Sequence, residues 1–248
     1  MENRDFKILT KMFKQDSGNP HVEGWINIPD TNINLPIVKH PYDSSYYINK
    51  NYLQEDGKYG VIWIDSNNSI KSKNELSENT IIHGHNWENY ANCPNVPAIG
   101  DPHHIMFEQF AAYHHLNFAK ERPYIFISNE NENMVYKIFA VFYTEEEFKY
   151  AIPNPTPVEK EVQMNEAVKR SKFVYKFVRE GLLTTYDKII TLSTCTRVLE
   201  RGRSDQKFVV MARLLRDDES VDDVLPDDYI LENHKNKKPQ LKKLLTKK

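Results

Sequence analysis

From Trp25 onward, short apolar runs rich in β-branched and aromatic residues alternate with brief polar turns, a pattern of strands rather than helices. It predicts strands at Gly24–Ile28, Leu35–Lys39, Gly60–Asp65, Thr80–His83, Tyr124–Ser128, Met134–Thr144, Lys188–Thr194 and Lys207–Leu215. Pro29-Asp30-Thr31-Asn32 and Ser66-Asn67-Asn68-Ser69 carry turn chemistry, and Asn129–Asn133 reads as a hairpin link. Such spacing favours an antiparallel or mixed barrel over βαβ units. Three stretches break the rhythm with helical periodicity. Phe6, Ile8, Leu9, Met12 and Phe13 suggest a short N-terminal helix that stops at Ser17-Gly18-Asn19-Pro20, and Met106, Phe107, Phe110 and Ala111 place a second over His103–His114. Thr156-Pro157-Val158-Glu159 is a cap, an N1 proline and a capping-box glutamate, opening an amphipathic helix over 156–183 with a break near Asn165.

The domain reading follows from this texture: a helical or flexible segment over 1–20, a mainly β domain over 21–216, and a charged extension over 217–248 that is partly disordered. In that extension, positions 217–232 hold eight acidic and no basic residues, and positions 235–248 hold seven lysines and no acids.

Composition narrows the function. With 40% hydrophobic and 12% aromatic residues in 248, the chain can bury a sizeable core. A formal net charge of −2 lacks the basic excess expected of a nucleic-acid-binding domain. Two cysteines, Cys93 and Cys195, are too few for a disulfide framework and form no C-x-x-C metal pair. No run approaches the roughly 20 apolar residues of a membrane span.

The chemistry concentrates at strand ends. Ile189-Ile190-Thr191-Leu192-Ser193-Thr194-Cys195 is a β-branched run that ends in small hydroxyl residues and a cysteine. A strand end at a barrel rim can hold a thiol rigidly while leaving it reachable, as a nucleophile requires. Thr80-Ile81-Ile82-His83-Gly84-His85-Asn86 ends likewise in a histidine suited to general acid–base work, and the preceding glycine is expected to supply a backbone conformation that other residues resist. His83-x-His85 could form two corners of a metal site, but no Asp, Glu or Cys cluster completes one. Arg197, Arg201, Arg203 and Lys207 follow the cysteine, and a cation there suits an oxyanion. A papain-like hydrolase would place its cysteine before its histidine, the reverse of the order here.

TLSTC at 191–195 and IHGHN at 82–86 resemble the two signature segments of the sortase family. Trp25–Val38 resembles its opening strand–turn–strand, and Gly60–Asp65 its strand before the histidine; the likeness spans about residues 20–216. The serine in TLSTC, the Met106-Phe107 pair and the long helix before the cysteine strand resemble the class B branch. The resemblance implies an eight-stranded sortase barrel with an N-terminal helix and an inserted helix before the cysteine strand. It implies Cys195 as the nucleophile that cleaves a C-terminal sorting motif after Thr through a thioester, and His85 as its acid–base partner. Ser193, with Thr194 and Asn86, is implied on the substrate side. Class B sortases normally carry an arginine just before the strand that follows the cysteine, whereas counting back from Phe208 puts Lys207 there; Lys207 by position and Arg203 by chemistry are the two candidates.

No cofactor or metal is implied. The implied partners are secreted proteins bearing the motif and an amine of peptidoglycan or its lipid-linked precursor. The implied place is the extracellular face of a bacterial cell membrane, with a membrane tether that is usual in the family and absent from this chain. A pilin-polymerising sortase and a catalytically weak sorting-peptide-binding module are the alternatives.

Overall fold

The computed structural model describes residues 5–89, 94–96, 98–101, 105–145, 147–198 and 206–236. Its strands are β1 (Val22–Asn27), β2 (Asn34–Val38), β3 (Ile62–Ile64), β4 (Asn79–His83), β5 (Tyr124–Ser128), β6 (Asn133–Thr144), β7 (Phe173–Tyr175), β8 (Ile189–Cys195), β9 (Lys207–Leu214) and β10 (Ile230–Glu232). Eight of them close a barrel in the order β1-β2-β3-β4-β8-β9-β6-β5, with β5 returning to β1. Pairing is antiparallel except for β2 with β3 and β4 with β8. Parallel neighbours need a long crossover, and the chain between β4 and β8 supplies one that includes two further barrel strands. The fold is therefore mainly β, as the alternation predicts, with each barrel strand within a few residues of its expected place.

The helices depart further from expectation. α1 (Phe6–Ser17) is capped by the Asp5 carboxylate and stopped by Gly18 in the left-handed region (φ 63°). The helix expected over His103–His114 is instead a 3-10 turn at Gln109–His114 followed by α2 (Leu116–Glu121); His103 and His104 lie outside the described residues. α3 (Pro157–Arg170) starts on the expected capping box and runs unbroken through Asn165. It ends at Ser171 because Phe173–Tyr175 leave the helix as β7 to pair with β10, after which a short α4 (Lys176–Arg179) follows. Aromatic and β-branched side chains favour a strand once a partner strand is available, and here the partner comes from the acidic segment.

That segment is anchored through a buried charge. Arg213 on β9 is fully buried, stacks over the Phe177 ring at 5.0 Å, and donates two hydrogen bonds to Glu219 at 2.6 and 2.5 Å. Asn233 and Asn236 donate side-chain amides to the Ser171 carbonyl at 2.9 and 3.2 Å, capping the end of α3. The lysine-rich stretch 237–248 lies outside the described residues. Partial burial pushes the Glu219 carboxyl up, but hydrogen bonds from Arg213 and the Arg216 amide, with the charges of Arg213 and Lys137, outweigh burial and bring it from 4.5 down to about 2. A depressed folded value gives stability that is present above pH 4.5 and lost as pH falls through 2. Glu219→Gln should therefore lower the unfolding free energy by about 3 kcal/mol at pH 7, since it also strands a buried guanidinium. In urea titrations the gap between the two proteins should narrow as pH falls from 5 towards 2; a constant gap would count against this pair.

Candidate active site

Four neighbouring strands, β3, β4, β8 and β9, bring the site together. Trp63 pairs with His83 and His83 with Ser193, so these side chains share one face; two residues further on, Cys195 pairs with Lys207. Parallel pairing of β4 with β8 carries His85 to the same rim as Cys195. The two strand ends are tied directly: Gly84 N–H donates to Ser193 O at 3.3 Å, Thr194 Oγ1 to Gly84 O at 2.7 Å, and Asn86 Nδ2 to Cys195 O at 3.4 Å.

Cys195 is a free, exposed thiol, although the six residues before it on β8 are buried. The hydroxyls of the TLSTC segment are each spent on a neighbour. Thr191 Oγ1 donates to Asn79 Oδ1 at 2.7 Å, Ser193 Oγ lies 2.9 Å from Tyr150 Oη, and Thr194 holds the Gly84 carbonyl. Small polar side chains at these positions pin the cysteine strand from both sides while leaving their buried polar atoms satisfied.

A cavity of about 690 Å³ opens over the rim, lined among others by Trp63, His83, His85, Tyr150, Cys195 and Lys207. Its far wall is the 148–152 segment, which α3 braces: Gln163 Nε2 donates to the Lys149 and Tyr150 carbonyls at 3.1 and 3.0 Å. Lys160 of α3, itself buried, pairs at 2.7 Å with Glu78, the residue just before β4. α3 thus fixes one wall of the cavity against the barrel.

Two histidines line this cavity in different surroundings. His83 stacks on Trp63 (5.3 Å between ring centroids). Burial, opposed by Asp65 and aided by the Lys207 charge, pushes it down to about 4, so it is neutral at physiological pH. His85 lies further out, between Trp63 and Trp87, at 5.7 and 5.4 Å. Its Nε2 is 2.6 Å from the Ile48 carbonyl, and its own carbonyl accepts from Phe107 N–H at 3.0 Å. Lys207 Nζ is 3.7 Å from Cys195 Sγ.

Of the expected site residues, the structure gathers Cys195, His85, Lys207, Ser193 and Thr194 around one cavity. Asn86 is placed otherwise: it is buried, and its amide is used inside the 86–89 turn and on the Cys195 carbonyl, which ties the histidine loop to the cysteine strand. Arg203 and Cys93 lie outside the described residues. Gly84 does not take a left-handed backbone, contrary to expectation. It is small because a Cβ there would sit 2.6 Å from Ile62 Cδ1 and 2.7 Å from the Phe107 ring. Gly60, expected inside a strand, is a turn residue with φ 58° whose missing Cβ makes room for His85. Sequence reasoning also missed Ile48, Trp63 and Tyr150, whose roles depend on barrel closure; the glycines of Gly57-Lys58-Tyr59-Gly60 were the available signal for the turn at Gly60.

A free cysteine and a histidine at the ends of adjacent barrel strands, with a lysine across the ladder, is a layout suited to acyl transfer through a thioester. A sortase-domain profile matches residues 26–215. Sortase B of Listeria monocytogenes is 31% identical over 203 residues, covering 79% of this chain and 71% of that protein. The crystal structure of Clostridium perfringens sortase B superposes with a TM-score of 0.66 at 23% identity, over 83% of this chain and 99% of that one. A Staphylococcus aureus sortase B–substrate complex gives 0.64 at 21%, over 86% and 95%. The protein is a cysteine transpeptidase. It belongs to the sortase family, on its class B branch.

Proposed function

We propose that this enzyme cleaves a C-terminal sorting motif after its threonine and transfers the new acyl group to an amine of the cell wall, working at the extracellular face of the cell membrane. The observation that carries the reading is the exposed Cys195 thiol beside the Lys207 ammonium, on the cavity that His85 also lines. Cys195 attacks the threonine carbonyl as a thiolate, forming the S–C bond and an oxyanion. The C–N bond then breaks, the leaving amine takes a proton from His85, and a thioester remains. An incoming amine attacks the thioester, gives a proton back to His85, and expels the thiolate. Lys207, fixed opposite Cys195 in the β8–β9 ladder, stabilises the developing negative charge.

Incubation with a panel of sorting pentapeptides, with and without an amine acceptor, tests the reading. Cleavage with amine-dependent product supports it, whereas no cleaved peptide and no thioester would favour a peptide-binding module. Lys207→Ala should slow acylation about 10²–10³-fold, the size of losing one oxyanion donor, while Lys207→Arg should match or exceed the wild type because its planar fork donates two bonds. A wild-type rate in Lys207→Ala would move the role to Arg203, and Arg203→Ala then becomes the deciding variant.

A further inference from the structure

The 3-10 turn at Tyr46–Asn49 has a backbone carbonyl aimed at the candidate acid–base histidine. Ile48 O lies 2.6 Å from His85 Nε2. A carbonyl oxygen can only accept, so a hydrogen bond at that distance requires a proton on Nε2 in both the neutral and the charged ring. The same ring edge is held by Gly60. A Cβ there would stand 2.8 Å from His85 Cδ2, 3.1 Å from Nε2 and 2.8 Å from Ile48 O, so any side chain at this position pushes on both partners of the bond. The turn itself is anchored: Tyr47 is buried, its hydroxyl lies 3.0 Å from Asn19 Nδ2 and 2.9 Å from His21 Nδ1, and the Asn49 carbonyl accepts from Gly57 N–H at 2.9 Å. Ser44, Ser45 and Ile48 also border the cavity, so the segment that holds the histidine is part of the wall a peptide would touch.

We infer that the Tyr46–Asn49 turn is the positioning element of His85: its Ile48 carbonyl keeps the proton on Nε2, which leaves Nδ1 as the nitrogen that gives a proton to the leaving amine and takes one from the incoming amine. This rests on the acid–base role given to His85 above. In the first step imidazolium loses its Nδ1 proton to the departing nitrogen and becomes the neutral Nε2–H ring; in the second it regains that proton from the attacking amine. Nε2 never exchanges its proton in the cycle. Gly60 is a positioning residue because only the absence of a Cβ lets ring and carbonyl meet.

Nitrogen-15 NMR of the histidine-labelled chain reads the ring directly. The expected result is a slowly exchanging Hε2 signal for His85 and a neutral form confined to the Nε2–H tautomer. A measurable population of the neutral Nδ1–H tautomer in the wild type overturns the inference, whatever the activity. Two variants separate contact from backbone strain: Gly60→Ala adds a Cβ at a left-handed position, and Gly60→Asn adds the same Cβ with a residue that tolerates that backbone. Both should lose the Hε2 signal, lower kcat by about 10²-fold, and change the shape of the pH–rate profile. Wild-type kcat and an intact Hε2 signal in Gly60→Asn would assign the effect to strain and overturn the positioning role. Should both variants fail to fold, the wild-type spectrum still decides. Full turnover in His85→Ala would instead remove the acid–base reading, with the tautomer measurement standing separately.

Discussion

Cys195→Ala should abolish both peptide cleavage and the covalent intermediate, leaving no detectable adduct when enzyme and sorting peptide are examined by mass spectrometry. The thiol sits at the last position of β8, exposed at the end of a strand whose other residues are buried, and its backbone is held by Asn86 on one side and by the Lys207 ladder on the other. Rigid placement matters because an oriented nucleophile has already met the entropic cost of approach. Among the described residues no second cysteine borders the cavity, and the serine and threonine hydroxyls that line it, on Ser44, Ser45, Ser193 and Thr194, are each committed to a neighbour. An adduct on Cys93 in the wild-type enzyme, or residual cleavage in the variant above about a thousandth of the wild-type rate, would sink the assignment.

The second large effect belongs to the histidines, and it is asymmetric. His85→Ala should cost about 10²–10⁴-fold in turnover, the usual worth of a general acid–base, while His83→Ala should cost less than about tenfold. Both rings face the same cavity along Trp63, so proximity alone does not separate them. Their environments do. Burial brings His83 down to about 4, so it is mostly neutral between pH 5 and 8 and a poor source of a proton there. His85 lies at the rim with one nitrogen on a backbone carbonyl, which leaves the other for the proton transfer proposed above. Turnover should therefore survive in His83→Ala with its pH profile between 5 and 8 unchanged, because the lost ring is mostly neutral there, and collapse in His85→Ala. A dead His83 variant with an active His85 variant would reverse the roles.

The sequence by itself determined the barrel strands, the capped start of α3, and the two strand ends that carry His85 and Cys195. These are local properties. Alternation, β-branching, turn residues and the Thr156–Glu159 capping box act within a window of a few residues, and the structure keeps them because burial reinforces each one. The class B likeness was legible for the same reason, being written in short contiguous segments. Where local signals competed with distant partners, the tertiary structure decided. Phe173–Tyr175 left the expected helix because Ile230–Glu232 offered a strand edge, and the acidic segment that supplies that edge was drawn in through Glu219 by a buried arginine 6 positions away. The position of Lys207 at 3.7 Å from Cys195 follows from a ladder register, not from their separation of 12 positions in the chain. The Ile48 carbonyl and Gly60 meet His85 only after β3 has closed onto β4, across 37 residues in the case of Ile48. A backbone carbonyl carries no residue-type signature, and a glycine's missing Cβ matters only when something fills the space beside it. That is why the candidate site side chains could be read from the chain, while the groups that surround them required the fold.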